Sequence, residues 1–544
     1  LINMSAVVTD QFRISNAGNF VDSVTDTNNN YYVFLGLSNP AILGTDGSPS
    51  ETLVGFGRTD TWNSSPPNPI DNINHNWNNG STALFGKKIT SGDIRRVVRK
   101  VDWKTNTPYD MYRQDYSINN LAPVSKTARL YDANYFVVNS DYNVYICISN
   151  GSSGSSSQIP TSKNEPTFTD LEPTSAGAGD DDYIWKYLFT ISPSDIVKFD
   201  STEYIVVPND WATSTNSSIQ SVREAADSLV NFNQIKEVYI KKPGSGYTPG
   251  PHSCDIVGDG SGGKVSVTVD AGTGTISKVV VTAGGSGYTY GMVDLGNART
   301  ESYSGNFAEL IVIIPPSRGH GYDIYKELGA ERVLVYSRFD DSTKDFPTDT
   351  KFAQVGFIKN PSTYTSRDVL YTGSEYSSLY GIKFKSTNTS AWGTNIPVIG
   401  SKITQTRSDG KIAKGYVASY DKTTSVLKYY QDRSLYYNQT TGNQQDYIGI
   451  STEGGVHPFE SADTSGNINF VGPTSPSPTP MDKTFTGRNI TSGDQQIDLG
   501  VYFTNGLSEP QINKTTGDIL YIDNREEITR NLRQKEDIKI ILEF

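Results

Sequence analysis

The chain has 544 residues, with 47 Lys and Arg against 59 Asp and Glu, a formal net charge of −12. Such an acidic balance is repelled by phosphate backbones, which argues against nucleic acid as a partner. The only cysteines, Cys147 and Cys254, are too few for a secreted disulfide framework, and no apolar run reaches the roughly 18 residues of a membrane-spanning helix. Length suggests about three or four domains. Hydrophobic residues make up only 35%, while Gly reaches 49 and Tyr 33, the composition of many strands joined by polar turns. No signal peptide is visible, so synthesis and folding in a cytoplasm are expected.

In chain order, Ala6–Arg13 and Tyr31–Leu37 read as two strands around an Asn-rich loop. Residues 40–82 are dense in Gly, Pro, Asn and Asp and read as loop. Ser91 to Val101 opens with a cap-like Ser and an early acid, which predicts a short helix or helical turn. Asn134–Asn139 and Asn143–Ile148 predict a hairpin, and the Gly/Ser run 151–157 a flexible exposed loop. Tyr183–Phe189 is a strand signal. Ser192 followed by Pro193 predicts a capped helical turn, and Glu203–Pro208 another strand. Residues 218–231 predict a helix, with Ile219, Val222, Ala226 and Leu229 on one face.

An internal repeat follows. Ile235, Val238 and Ile240 before Gly244-Ser-Gly-Tyr-Thr match Ile276, Val279 and Val281 before Gly285-Ser-Gly-Tyr-Thr, 41 residues on (276 − 235). Val265, Val267 and Val269 alternate between the copies, a half-buried strand. Two copies predict one small β module rather than a solenoid. Asp323–Leu328 before Gly329 predicts a short helix with a glycine stop, and Arg332–Phe339 a strand. Residues 380–470 alternate strand and turn. Val471–Pro480 reads as an extended linker, and Asp518–Arg525 with Asp537–Phe544 as strands.

Motifs for chemistry are weak. Gly258-Asp-Gly-Ser-Gly-Gly263 matches the dinucleotide pattern, but Lys264–Val269 after it reads as strand, so a tight turn is expected. His252-x-Cys254 is half of a metal pattern without its other half. The four histidines, His75, His252, His320 and His457, lie in no catalytic motif. Asp180-Asp181-Asp182 could offer calcium ligands but lacks the EF-hand pattern, so a solvated acidic loop is the preferred reading. No catalytic, cofactor or metal residues are assigned. Trp103, Tyr183, Trp185, Tyr187 and Tyr204 are singled out as interface or core anchors, because Tyr and Trp serve both places.

Several of these segments together resemble the gene 8 baseplate wedge protein family of T-even-like contractile-tailed phages. The matching stretches are Ala6–Phe12, Tyr31–Pro40, Arg96–Tyr112, Gly179–Phe189, Thr202–Pro208 and Gly517–Phe544. The resemblance implies a mainly β virion protein of the tail baseplate, assembled in the host cytoplasm. It also implies a homodimer, contacts with other wedge proteins and no catalysis. It does not extend over about 212–510. A tail adhesin or carbohydrate-binding virion protein is the rival reading, carried by the aromatic and Asn-rich composition. A glycosidase is a third, without a located site.

The expected architecture is therefore mainly β and multi-domain, β-sandwich-like, with a few short helices and an inserted small β repeat module. Its parts are a first β portion over 1–215, a helical connector over 216–232, the repeat module over 233–300, a β-rich insertion over 301–510, and a segment over 511–544 returning to the first domain. One face of the last strand, carrying Ile538, Ile540 and Leu542, is expected to bury against strands from residues 1–210.

Overall fold

In the computed structural model of the chain, strand outweighs helix, 41% to 12%, and the fold is mainly β with a few short helices. The structure describes residues 8–37, 41–43, 49–52, 64–66, 68–69, 83–156, 158–227, 232–300, 303–340, 351–399, 401–431, 436–437, 444–445, 458–472, 475–492, 494–514, 516–530 and 534–544. The chain divides into two units. One comprises Leu1–Val21, Ile94–Val335 and Ile540–Phe544, the other Asp22–Asp93 and Tyr336–Lys539.

The first described element departs from expectation. Asp10–Thr25 is an α-helix, not a strand. The Thr9 hydroxyl accepts the Phe12 N–H at 3.3 Å, as an N-cap does. Ile14, Ala17, Val21 and Val24 are all buried, and their spacing of three and four residues is helical. The short window Ala6–Arg13 did not contain that period.

The predicted helix after Ser91 is also corrected. Only Ser91–Asp93 forms a 3₁₀ turn, closed by the Asp93 carboxylate on the Thr90 N–H at 3.1 Å. Ile94–Arg99 is then a strand between Tyr204–Val207 and Arg332–Phe339. Ile94, Val97 and Val98 are buried there. Strand partners on both sides override the local cap signal, since β-branched residues pack well on a pleated surface.

Other elements follow the reading. Phe136–Val138 and Asn143–Asn150 pair antiparallel, and the latter pairs in turn with Tyr183–Thr190. Ser192 caps the helix Pro193–Phe199 through the Asp195 N–H. Ser217–Asp227 is helical, with Val222 and Ala226 buried, and Leu229 lies outside the described residues. Gly329 ends the helix Ile324–Leu328 in the left-handed conformation, at φ 67°. Two extended segments are less free than expected. In 151–157 the Gly154 N–H donates to Ile240 O at 2.8 Å, and a Cβ at Gly154 would lie 2.1 Å from Lys241 O. In 471–480 Thr479 is buried, exchanges two backbone hydrogen bonds with Ile468, and accepts the Trp392 indole N–H at 2.8 Å.

The repeat builds one core. Ile235, Val238, Tyr247, Cys254, Val265, Val267, Ile276, Tyr288 and Val312 cluster together. Its strands are Gly250–Gly258, Ser261–Val269, Ile276–Ser286 and Gly291–Val293 in one sheet, with Val238–Lys242 paired to Glu309–Val312 in another. The two copies exchange reciprocal bonds. Ile235 N–H donates to Gly284 O and Ile276 N–H to Pro243 O, both at 3.0 Å. Each residue of one pair lies 41 positions from its counterpart in the other, so the copies relate by an approximate two-fold. Gly244 and Gly285 share φ near +60° (63° and 61°), and Gly246 and Gly287 match at 82° and 79°, conformations that favour glycine. The dinucleotide-like glycines span the tight turn at Asp259-Gly260: Gly258 ends the strand Gly250–Gly258 and Gly263 lies in the strand Ser261–Val269.

In the second unit, Glu375–Ser377, Ala83–Lys88, Tyr31–Leu37, Lys351–Lys359 and Asp518–Thr529 form a five-stranded sheet in that order. A six-stranded sheet containing Lys402–Thr406, Ile412–Asp421, Val426–Tyr430 and Tyr380–Lys383 carries the second core, around Ile382, Trp392 and Leu427.

The last strand, Glu536–Glu543, joins the four-stranded sheet in the order Tyr204–Val207, Ile94–Arg99, Arg332–Phe339, Glu536–Glu543. Ile540 is buried, and Ile538 and Leu542 are partly so, against exposed Asp537, Lys539 and Glu543. Its strand neighbour is Arg332–Phe339 rather than a strand from 1–210, because that strand occupies the position beside Ile94–Arg99.

Candidate functional site

The first unit carries a groove of about 900 Å³. One wall is the loop leaving strand Asn143–Asn150. Asn150 is fully buried, with its amide donating to Tyr109 O at 2.9 Å. Its carbonyl oxygen accepts the Ser152 hydroxyl at 2.7 Å, which turns the chain, and Gly154 then docks on Ile240. A second wall is Glu172–Ser175 with Asp182. The floor is Gln234–Ile240 and Ser277–Thr282, from the two repeat copies.

Glu237 stands in this groove, its own Val238 N–H 3.1 Å from Oε1. Burial raises its carboxyl to about 7, while hydrogen bonds from Val238 and Ser149 pull the other way. Lys236 pairs with Glu172 at 2.5 Å and also touches the Gln234 side-chain oxygen.

Behind that ion pair lies a second cavity of about 20 Å³, beside Lys186, Lys236 and His320, room for about one water. Lys186 is buried and its ammonium donates to Leu171 O at 2.5 Å. Burial lowers its pKa, against the opposing pull of the Glu327 and Glu172 carboxylates. His320 Nδ1 lies 2.6 Å from a Glu327 oxygen, and the other oxygen accepts the Gly321 N–H at 2.6 Å. Tyr112 stands edge-on to the His320 ring, 4.8 Å between centroids. The pair is closed in by protein and orders the segment before the helix Ile324–Leu328.

Of the anchors named from sequence, Tyr183 and Trp185 are wholly buried and stacked at 5.6 Å, and Tyr187 is buried beside Tyr145. Tyr183 also lines the groove, and its hydroxyl donates to Pro160 O at 2.8 Å while accepting the Tyr109 N–H at 2.9 Å. Trp103 and Tyr204 are half-buried. The Trp103 indole donates to Ser162 Oγ at 3.1 Å, and Arg332 lies over the Tyr204 ring at 6.0 Å. These five residues do not form one site.

The acidic triplet divides by role. Asp181 is buried and its carboxylate accepts the N–H groups of Lys163 (2.7 Å), Asn164 (3.3 Å) and Tyr183 (3.2 Å), so it is structural rather than solvated. Exposed Asp180 is held low by the Asn164 amide and by Lys163. His252 Nε2 lies 2.7 Å from Thr248 O, and Cys254 is buried and free. His75 and His457 lie outside the described residues. Among the described residues no group of three or more His, Cys, Asp or Glu is placed to hold a metal.

Sequence reasoning missed Glu237. The signal was present: an acid inside the apolar alternation Ile235, Val238, Ile240. No known protein family matches the sequence, and no curated protein matches it either.

Proposed function

We propose that the chain is a structural subunit of a contractile phage tail, of the baseplate wedge type. It would assemble as a homodimer and with other wedge proteins, transmit baseplate rearrangement during infection, and carry no catalysis. The reading begins from the sequence resemblance. The observation supporting it is where the resembling stretches lie. Tyr31–Leu37 and Asp518–Thr529 both flank Lys351–Lys359. Ile94–Arg99 pairs with Tyr204–Val207 and shares a sheet with Glu536–Glu543. Stretches more than 300 residues apart in sequence thus occupy common sheets, joined through Lys351–Lys359 and Arg332–Phe339 of the intervening segment. Assembly through polar, turn-dense surfaces suits such a protein, and stable wedge contacts would each bury over about 1,000 Å². Sedimentation should give twice the chain mass of 59.6 kDa, and antibodies to the chain should label the distal end of contractile tails. A monomer at micromolar concentration together with unlabelled tails would defeat the reading.

A further inference from the structure

We propose that the groove of the first unit binds a neutral, linear oligosaccharide. The shape is the first reason. The floor runs continuously along Ser277–Thr282, and five strand rises of about 3.4 Å give a length near ~17 Å, enough for several rings of an extended sugar chain. A volume of about 900 Å³ lies within the range of ligand sites, roughly 300–1,000 Å³.

The hydrogen-bond polarity of the walls is the second reason. Ser277 Oγ already donates to Thr268 O at 3.1 Å, Thr282 Oγ1 to Lys264 O at 3.2 Å, and Ser152 Oγ to Asn150 Oδ1 at 2.7 Å. A hydroxyl has one proton and two lone pairs, so with the proton committed inward each presents acceptors to the groove. The lining carboxylates add acceptors. The complementary ligand is therefore rich in donors, as a polyhydroxylated chain is.

Charge narrows the class. The lining holds three acids (Glu172, Asp182, Glu237) and two bases (Lys236, Lys278), and Lys236 is already paired with Glu172. With the Glu237 carboxyl raised to about 7, the lining holds almost no net charge to attract an acidic polysaccharide, which the chain charge of −12 would repel. The near-neutral carboxyl of Glu237 can donate or accept towards a sugar hydroxyl. This inference is independent of the tail reading: either can fail alone.

The test is calorimetric titration of the full chain with neutral oligosaccharides (maltohexaose, cellohexaose, chitohexaose, laminarihexaose), with oligogalacturonate as the acidic comparison. At least one neutral sugar should bind saturably. Ser277→Trp and Ser175→Trp place bulk at exposed positions on the floor and on one wall and should each weaken binding at least tenfold while the melting temperature holds. Hydrogen–deuterium exchange on the unsubstituted chain guards against a variant that fails to fold, and the bound sugar should protect 149–156 and 277–282. No binding by any neutral sugar at millimolar concentration, binding of the acidic sugar alone, binding that survives both substitutions, or protection only elsewhere would each overturn the proposal.

Discussion

The ring of Phe544, just past the strand Glu536–Glu543, lies 5.4 Å from the ring of Phe20 in the helix Asp10–Thr25. Residues more than 500 positions apart in sequence therefore share one apolar contact in the first unit. The Phe544 N–H also donates to Glu331 O at 3.3 Å. The Glu331 carboxylate receives Arg129, which reaches Asp10 at 2.8 Å as well. Ile540 is 4% exposed. Ile540→Ala should cost about 2–5 kcal/mol, read as a shift of the urea midpoint with unchanged slope. Deletion of 537–544 should leave the protein insoluble or unfolded. A soluble truncation with the parent's melting temperature would show that the strand is dispensable.

The repeat tyrosines make a matched pair of tests. Tyr288 hydroxyl donates to Ile256 O and accepts the Gly263 N–H, both at 3.0 Å, and Tyr247 hydroxyl accepts the Ala308 N–H at 2.8 Å. Phenylalanine at either position leaves a backbone N–H without its acceptor, a cost of about 1–3 kcal/mol. Tyr288→Phe should be the worse of the two, since it loses two bonds in the more buried site. Equal stability of Tyr288→Phe and the parent in chemical denaturation would contradict this account.

Glycine substitutions separate backbone strain from crowding. At Gly285, φ is +61° and a Cβ would lie 2.3 Å from Ser261 O, whereas at Gly410, φ is +80° with nothing within 4 Å. Gly410→Ala should cost about 1–2 kcal/mol from the left-handed conformation alone. Gly285→Ala should cost clearly more, because the facing atoms are backbone. Thermal melts of the two variants should rank them in that order.

Glu237 gives a pH signature. Its folded carboxyl titrates at about 7, against an ordinary 4.5. Between these values the folded state holds the proton that the unfolded state has lost, so stability falls as pH rises through that window and levels off above it. The loss by pH 8 should be on the order of 1–3 kcal/mol relative to pH 4.5. Glu237→Gln removes the titration, so its melting temperature should fall less than the parent's between pH 5 and pH 8. Identical pH profiles would remove Glu237 as the source.

By itself the sequence determined what depends on neighbours in the chain. The Ser192 cap, the Gly329 stop, the hairpin around Ser140 and the alternation of Ile538, Ile540 and Leu542 are local chemistry, and each is found where its residues place it. The repeat was legible for the same reason, since identical glycine turns need identical residues. Tertiary structure decided whatever depends on distant partners. Ile94–Arg99 is a strand because Tyr204–Val207 and Arg332–Phe339 lie on either side of it. Asp181 is buried because the N–H groups of Lys163 and Asn164 reach it across a loop. The groove was not legible at all. Its walls and floor come from segments up to more than 100 residues apart, and the direction in which a serine hydroxyl spends its single proton follows from which carbonyl the fold sets beside it.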